Sequence, residues 1–66
     1  MKTVEASKVP AEVIKSLTIQ NIKGWRDDNK VTYLPKGDNP NIETNQAVVY
    51  HQLEDGSYVI KDRYEF

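Results

Sequence analysis

From Gln46 to Phe66 the chain alternates apolar and polar positions in two stretches of about equal length, separated by Asp55-Gly56. Period-two alternation marks strands with one buried face, and Asp-Gly is the dipeptide that best tolerates the positive φ angles of a tight two-residue turn. The expected element is a β-hairpin centred on Asp55 and Gly56. In that register Leu53 faces Tyr58, His51 faces Ile60, Val49 faces Asp62 and Ala47 faces Tyr64 on one side of the sheet. That side reads as core, formed by Ala47, Val49, Leu53, Tyr58, Ile60 and Tyr64 with Phe66 as a further candidate. The other side pairs Gln52 with Val59, Tyr50 with Lys61, Val48 with Arg63 and Gln46 with Glu65. It reads as a solvated face, with long basic stems lying over Tyr50 and Val48.

A second hairpin pattern runs from Ser16 to Pro35. Leu17, Ile19, Ile22 and Trp25 precede the polar run Arg26-Asp27-Asp28-Asn29-Lys30, and Val31-Thr32-Tyr33-Leu34 follow, rich in β-branched and aromatic residues. A helix competes for the first arm. Ile14, Leu17, Ile22 and Trp25 share a face at a 3.6-residue period, with Pro10 suited to a first helical position and Gly24 to a stop. Thr18, Ile19 and Asn21 weigh against it, so the expectation is a short helix from Pro10 to about Lys15 or Ser16, then a strand. Residues 1–8 alternate weakly, with Val4 and Ala6 on one side, as an edge strand or a flexible arm would. Residues 36–45, opened by Pro35 and rich in Pro, Gly, Asp and Asn, read as the loop that joins the two halves. The expected architecture is a single domain, residues 1–66, of the α+β (mostly β) class: a short N-terminal helix followed by a four-stranded antiparallel sheet made of two hairpins. Its strands are expected near residues 17–25, 30–35, 46–54 and 57–65.

Size changes what must hold such a domain together. A chain of 66 residues buries only about 60% of the surface it exposes when unfolded. It has no cysteine and one histidine, which excludes a disulfide staple, a cysteine zinc site and an all-histidine zinc site within one chain. Self-association is the remaining common reinforcement, and a second copy would cover the sheet face that one helix leaves open, so a homodimer is expected. The net charge of −1 hides an asymmetry. Residues 1–37 carry seven Lys/Arg against four Asp/Glu, whereas residues 38–66 carry two against six. Such polarity suits self-association or a weak anion-binding face, and an ordinary solvated surface is the competing reading. No apolar run approaches the about 18 residues that cross a membrane, and no charged-then-apolar leader is seen, so a cytoplasmic location without a membrane partner is expected.

Candidate chemistry is sparse. His51 and Asp62 fall diagonally across the strands of the apolar face, which suits either a buried acid–base pair or one hydrogen bond satisfying two polar groups. Ser7, Ser16 and Ser57 lie in segments with no local nucleophile signature. The three glycines lack the spacing that wraps phosphates, and Asp38-Asn39-Pro40-Asn41 is too short for a calcium loop. No enzymatic activity, cofactor or metal site is expected. The better candidate surface for a ligand or nucleic acid is the central hairpin. There Lys23, Trp25, Arg26, Lys30, Tyr33 and Lys36 place aromatic rings among cations, the mixture on which bases stack while phosphates are neutralised. Asp27 and Asp28 dilute it, and the competing reading makes Trp25 and Tyr33 core side chains.

The run Thr18-Ile19-Gln20-Asn21-Ile22-Lys23-Gly24-Trp25-Arg26-Asp27-Asp28-Asn29-Lys30-Val31-Thr32-Tyr33-Leu34-Pro35-Lys36 resembles a stretch of SpoVG-type bacterial regulators. In those proteins an Ile-Arg/Lys strand, a Gly/Asn-rich turn and a Val-containing strand end in a proline and a basic residue. The resemblance implies a small dimeric, β-rich protein that binds nucleic acid. Beyond Pro35 that family continues into other elements, including a helix bearing basic residues, where this chain supplies its second hairpin. Two functions are expected from different classes. One is a small non-catalytic interaction module, of the accessory kind common among short proteins of bacteria and phages, acting as a homodimer or on another protein. The alternative is a nucleic-acid-binding protein that uses the basic-aromatic central hairpin.

Overall fold

The computed structural model describes residues 2–35 and 46–65. Along the chain these form strand β1 (Thr3–Val4), a 3₁₀ turn (Ala6–Lys8), helix α1 (Ala11–Ile22) and strands β2 (Lys30–Tyr33), β3 (Gln46–Gln52) and β4 (Tyr58–Glu65). The strands make one antiparallel sheet in the order β1-β4-β3-β2. With α1 on one face of that sheet, the fold belongs to the expected α+β class with its helix N-terminal. The expected loop at 36–45 and the candidate core residue Phe66 lie outside the described residues.

The helix runs further than expected, and the strand proposed for residues 17–25 is absent. Val13, Ile14, Leu17, Gln20 and Asn21 form the buried or half-buried stripe of α1 at helical spacing, and Val13 and Leu17 are fully buried. Val9, Val13 and Leu17 close over Val48 and Tyr50, with Val4, Ile14, Val31, Tyr33, Tyr58 and Ile60 packed around them. That tertiary contact outweighs the β-preference of Thr18, Ile19 and Ile22. Thr18 is made compatible with the helix by its hydroxyl, which donates to the Ile14 carbonyl at 2.7 Å. The helix stops where Gly24 takes φ +128°, on the side of the backbone map that glycine alone adopts readily. The sheet therefore takes its fourth strand from Thr3–Val4, which pairs with Tyr58 and Val59.

The β3–β4 turn is one residue longer than the two-residue form expected from Asp55-Gly56. Leu53 N–H donates to the Ser57 carbonyl at 2.7 Å and Gly56 N–H to the Leu53 carbonyl at 2.9 Å. Among the described residues no residue other than glycine has positive φ, while Gly56 sits at +95°. Glu54, Asp55 and Gly56 thus form a three-residue loop, a type I turn closed by a left-handed glycine. Next to it Gln52 pairs with Tyr58, His51 with Val59 and Tyr50 with Ile60. An irregularity then leaves Lys61 without a partner and restores the expected pairs from Val49–Asp62 to Gln46–Glu65. The extra turn residue and the bulge together reassign the faces. Tyr58 and Ile60 join Val48 and Tyr50 under α1, so the side expected to be solvated is the helix-covered core side. Ala47 and Val49 are buried as expected, but Tyr64 is exposed and Leu53 only half-buried.

Asp55 closes this turn through its carboxylate, which accepts the Ser57 N–H at 2.9 Å. Hydrogen bonds from the Ser57 backbone and hydroxyl hold its pKa below the usual carboxylate value of 3.8. A lowered native pKa stabilises the fold above the unfolded-state value, and this contribution disappears as pH falls through the native one. Asp55→Asn keeps an acceptor and removes the titration. We expect its melting temperature to fall less than the wild type's between about pH 5 and pH 2 in a circular dichroism series; equal falls would refute this role for Asp55.

Candidate interaction surface

Between α1 and β2, residues 23–29 carry the chain around the end of the sheet, from the face under α1 to the opposite one. A chain of polar contacts fixes that path. Asn21, in the last turn of α1, donates through Nδ2 to Gln52 Oε1 at 2.5 Å, and Asn29 Nδ2 donates to Asn21 Oδ1 at 2.7 Å. Trp25 Nε1 donates to the Gln52 carbonyl at 2.8 Å, while Gln52 Nε2 reaches the Gly56 carbonyl at 3.0 Å. Lys61, the bulge residue, donates its ammonium to the Asp27 carbonyl at 2.8 Å.

At the centre is His51, 2% exposed. It alternates with Tyr50 and so points away from α1, with the Trp25 ring tilted 45° to it at a centroid distance of 6.2 Å. His51 Nδ1 is hydrogen-bonded to the Asn29 carbonyl. A carbonyl only accepts, so Nδ1 carries the proton. The pairing of His51 with Asp62 expected from the hairpin register is not made, because the longer turn and the bulge change which residues adjoin. Asp62 is exposed and its carboxylate accepts the Arg63 N–H at 2.8 Å. It also accepts the Tyr64 hydroxyl, and this hydrogen bond, together with the negative charge of the carboxylate, raises the Tyr64 pKa above 10.0. His51 lies against the Trp25 ring and holds the Asn29 carbonyl of the loop.

The six candidate residues do not converge on one groove. Lys23 follows α1 as its exposed C-terminal cap. Trp25 and Arg26 are exposed on the loop, with Arg26 3.9 Å from Asp28. Lys30 pairs across from His51 and so shares the face that Trp25 covers. Tyr33 pairs with Val48 on the α1 face, half-buried and edge-on to Tyr50 at 6.5 Å. Lys36 lies outside the described residues. Trp25, Arg26 and Lys30 are thus associated with one end of the sheet, while Tyr33 belongs to the core on its other face. Missed in the sequence were Asn21, Asn29 and Gln52, the amides that anchor the loop. The available signal was an amide at each end of the Lys23–Asp28 segment, and a helix ending at Gly24 would have given it meaning.

Large apolar side chains remain outside. Ile22 is 80% exposed, Leu34 57%, Ile19 52% and Tyr64 51%. Ile19 and Ile22 stand three residues apart on the solvent side of α1. Beside β1, a cavity of about 550 Å³ lies over Val4 and Ile60 and is bordered by Lys2, Lys8 and Arg63, with Glu5 among them. Among the described residues the only ion pair is Arg26–Asp28, so none of these three cations has a carboxylate partner there. No helix among the described residues is long and apolar enough to cross a membrane. Compared with family models, curated proteins and solved structures, the chain finds no match.

Proposed function

We propose that this chain is a small non-catalytic interaction module that works as a homodimer. The observation that supports this most is the exposure of Ile19, Ile22, Leu34 and Tyr64 in a domain with so little apolar surface to spend outside its core. The polar groups around the loop support the non-catalytic part of this reading. His51, Asn21, Asn29 and Gln52 are occupied with one another and with backbone carbonyls, which suits them to holding a loop in place.

The nucleic-acid reading draws less support, since Trp25 and Tyr33, the two rings it would stack bases on, belong to opposite faces of the sheet. Sedimentation equilibrium from micromolar to sub-millimolar loading tests the proposal. We expect a reversible monomer–dimer equilibrium, and labelled oligonucleotides to show no anisotropy change at about 50 mM salt, where phosphate contacts are strongest. A clean 7.6 kDa species at every loading, or tight oligonucleotide binding, would overturn it.

A further inference from the structure

Strand β4 is eight residues long, yet β1 pairs only with Tyr58 and Val59. Among the described residues no strand covers the same edge of β4 beyond them, and Lys61–Glu65 are all exposed. Half of the backbone N–H and C=O groups along such a segment point away from β3, as an exposed edge does. The side chains there have an order of their own. Arg63 and Glu65 flank Tyr64 and share the α1 side of the sheet, while Tyr64 points to the other side, opposite Ala47. Neither Arg63 nor Glu65 ion-pairs with another described residue.

We propose that two copies of this chain join edge to edge, antiparallel, through residues 63–65 of β4, with Tyr64 at the two-fold axis. This rests on the homodimer reading above and places the contact at Tyr64, leaving the exposed Ile19, Ile22 and Leu34 outside it. A two-fold axis normal to the sheet keeps each side chain on its own face, so every register sets one residue against its own copy. Centring on Asp62, Arg63 or Glu65 opposes like charges, which destabilises a cross-strand pair. Centring on Tyr64 sets two phenol rings together on one face and Arg63 against the partner's Glu65 on the other, twice by symmetry. Of the four registers centred on residues 62–65, that one alone sets no like charges against each other. The sheet becomes continuous through both copies, with eight strands, and the charges that guard the free edge become its pairing code.

The absence of any native cysteine makes the test direct. Tyr64→Cys should form a disulfide-linked dimer under mild oxidation, and Thr18→Cys, on exposed α1, should not. Arg63→Glu and Glu65→Arg should each weaken dimerisation about tenfold, because two favourable cross-strand pairs become repulsive. The double variant should restore it, by sedimentation equilibrium. All four positions are exposed, and an unchanged circular dichroism spectrum confirms folding. If the wild type dimerises but both charge variants do so equally well and the Tyr64→Cys variant stays unlinked, the contact lies elsewhere and only this inference fails. A monomeric wild type removes the homodimer reading as well.

Discussion

Leu17→Ala should lower the urea midpoint of this protein more than any other single truncation in α1. Leu17 is fully buried among Val9, Val13, Val48 and Tyr50, and a buried Leu→Ala change costs about 2–5 kcal/mol through lost transfer energy and the cavity left behind. A 66-residue chain has only about 3–10 kcal/mol of stability in total at ordinary values per residue. One side chain thus represents a large part of the margin, and at the upper end of the range the variant is substantially unfolded without denaturant. Ile22→Ala is the informative control, because Ile22 is 80% exposed and its truncation should change stability by no more than about 0.5 kcal/mol. The helical face that groups Leu17 with Ile22 and Trp25 makes both losses costly. Equal midpoint shifts for the two variants would support that face and contradict the packing described above.

His51→Ala should release the loop at residues 23–29. It removes a buried ring packed against Trp25 and the donor to the Asn29 carbonyl, at a combined cost of about 2–4 kcal/mol from lost packing and an unsatisfied acceptor. Trp25 is the only tryptophan, so its fluorescence reports on the loop directly. We expect emission to move to longer wavelength under conditions where circular dichroism still shows a folded sheet. Asp62→Ala should leave Trp25 emission unchanged and cost little, since Asp62 is exposed and bonds within its own strand. If Asp62→Ala reproduced the His51→Ala spectrum, a His51–Asp62 pair would be the better account.

Parts of this fold were legible because they are local. The alternation from Gln46 to Glu65 specified a hairpin, and the pairs from Val49–Asp62 outward have the expected register. That agreement arises from two departures that cancel: a third turn residue shifts the pairing by one, and the bulge at Lys61 shifts it back. Neither leaves a clear local mark, since Asp-Gly serves two- and three-residue turns alike and a bulge depends on the partner strand. Residues 17–22 were ambiguous for a different reason. Thr18, Ile19 and Ile22 favour strand by propensity, and only the sheet surface at Val48 and Tyr50, more than twenty-five residues away in sequence, decides for helix. Of the six candidate residues, Trp25 and Lys30 lie on the His51 side of the sheet, whereas Tyr33 lies on the α1 side. Tyr33 was grouped with the other two because sequence neighbours on a short strand do not reveal which face they share with a distant loop.

The bulge at Lys61 divides β4 into two parts with separate obligations. In an unbroken strand Tyr58, Ile60, Asp62 and Tyr64 would all point one way, and any change near the chain's end would be felt under the helix. The extra residue exchanges the set, so that beyond it Arg63 and Glu65 take the α1 side. Tyr58 and Ile60 answer to α1, whereas Asp62 and Tyr64 face the other side and answer to whatever lies beyond the edge. Substitutions at Asp62 and Tyr64 therefore act on the side of the sheet away from α1, whereas those at Arg63 and Glu65 act on the same side as the helix.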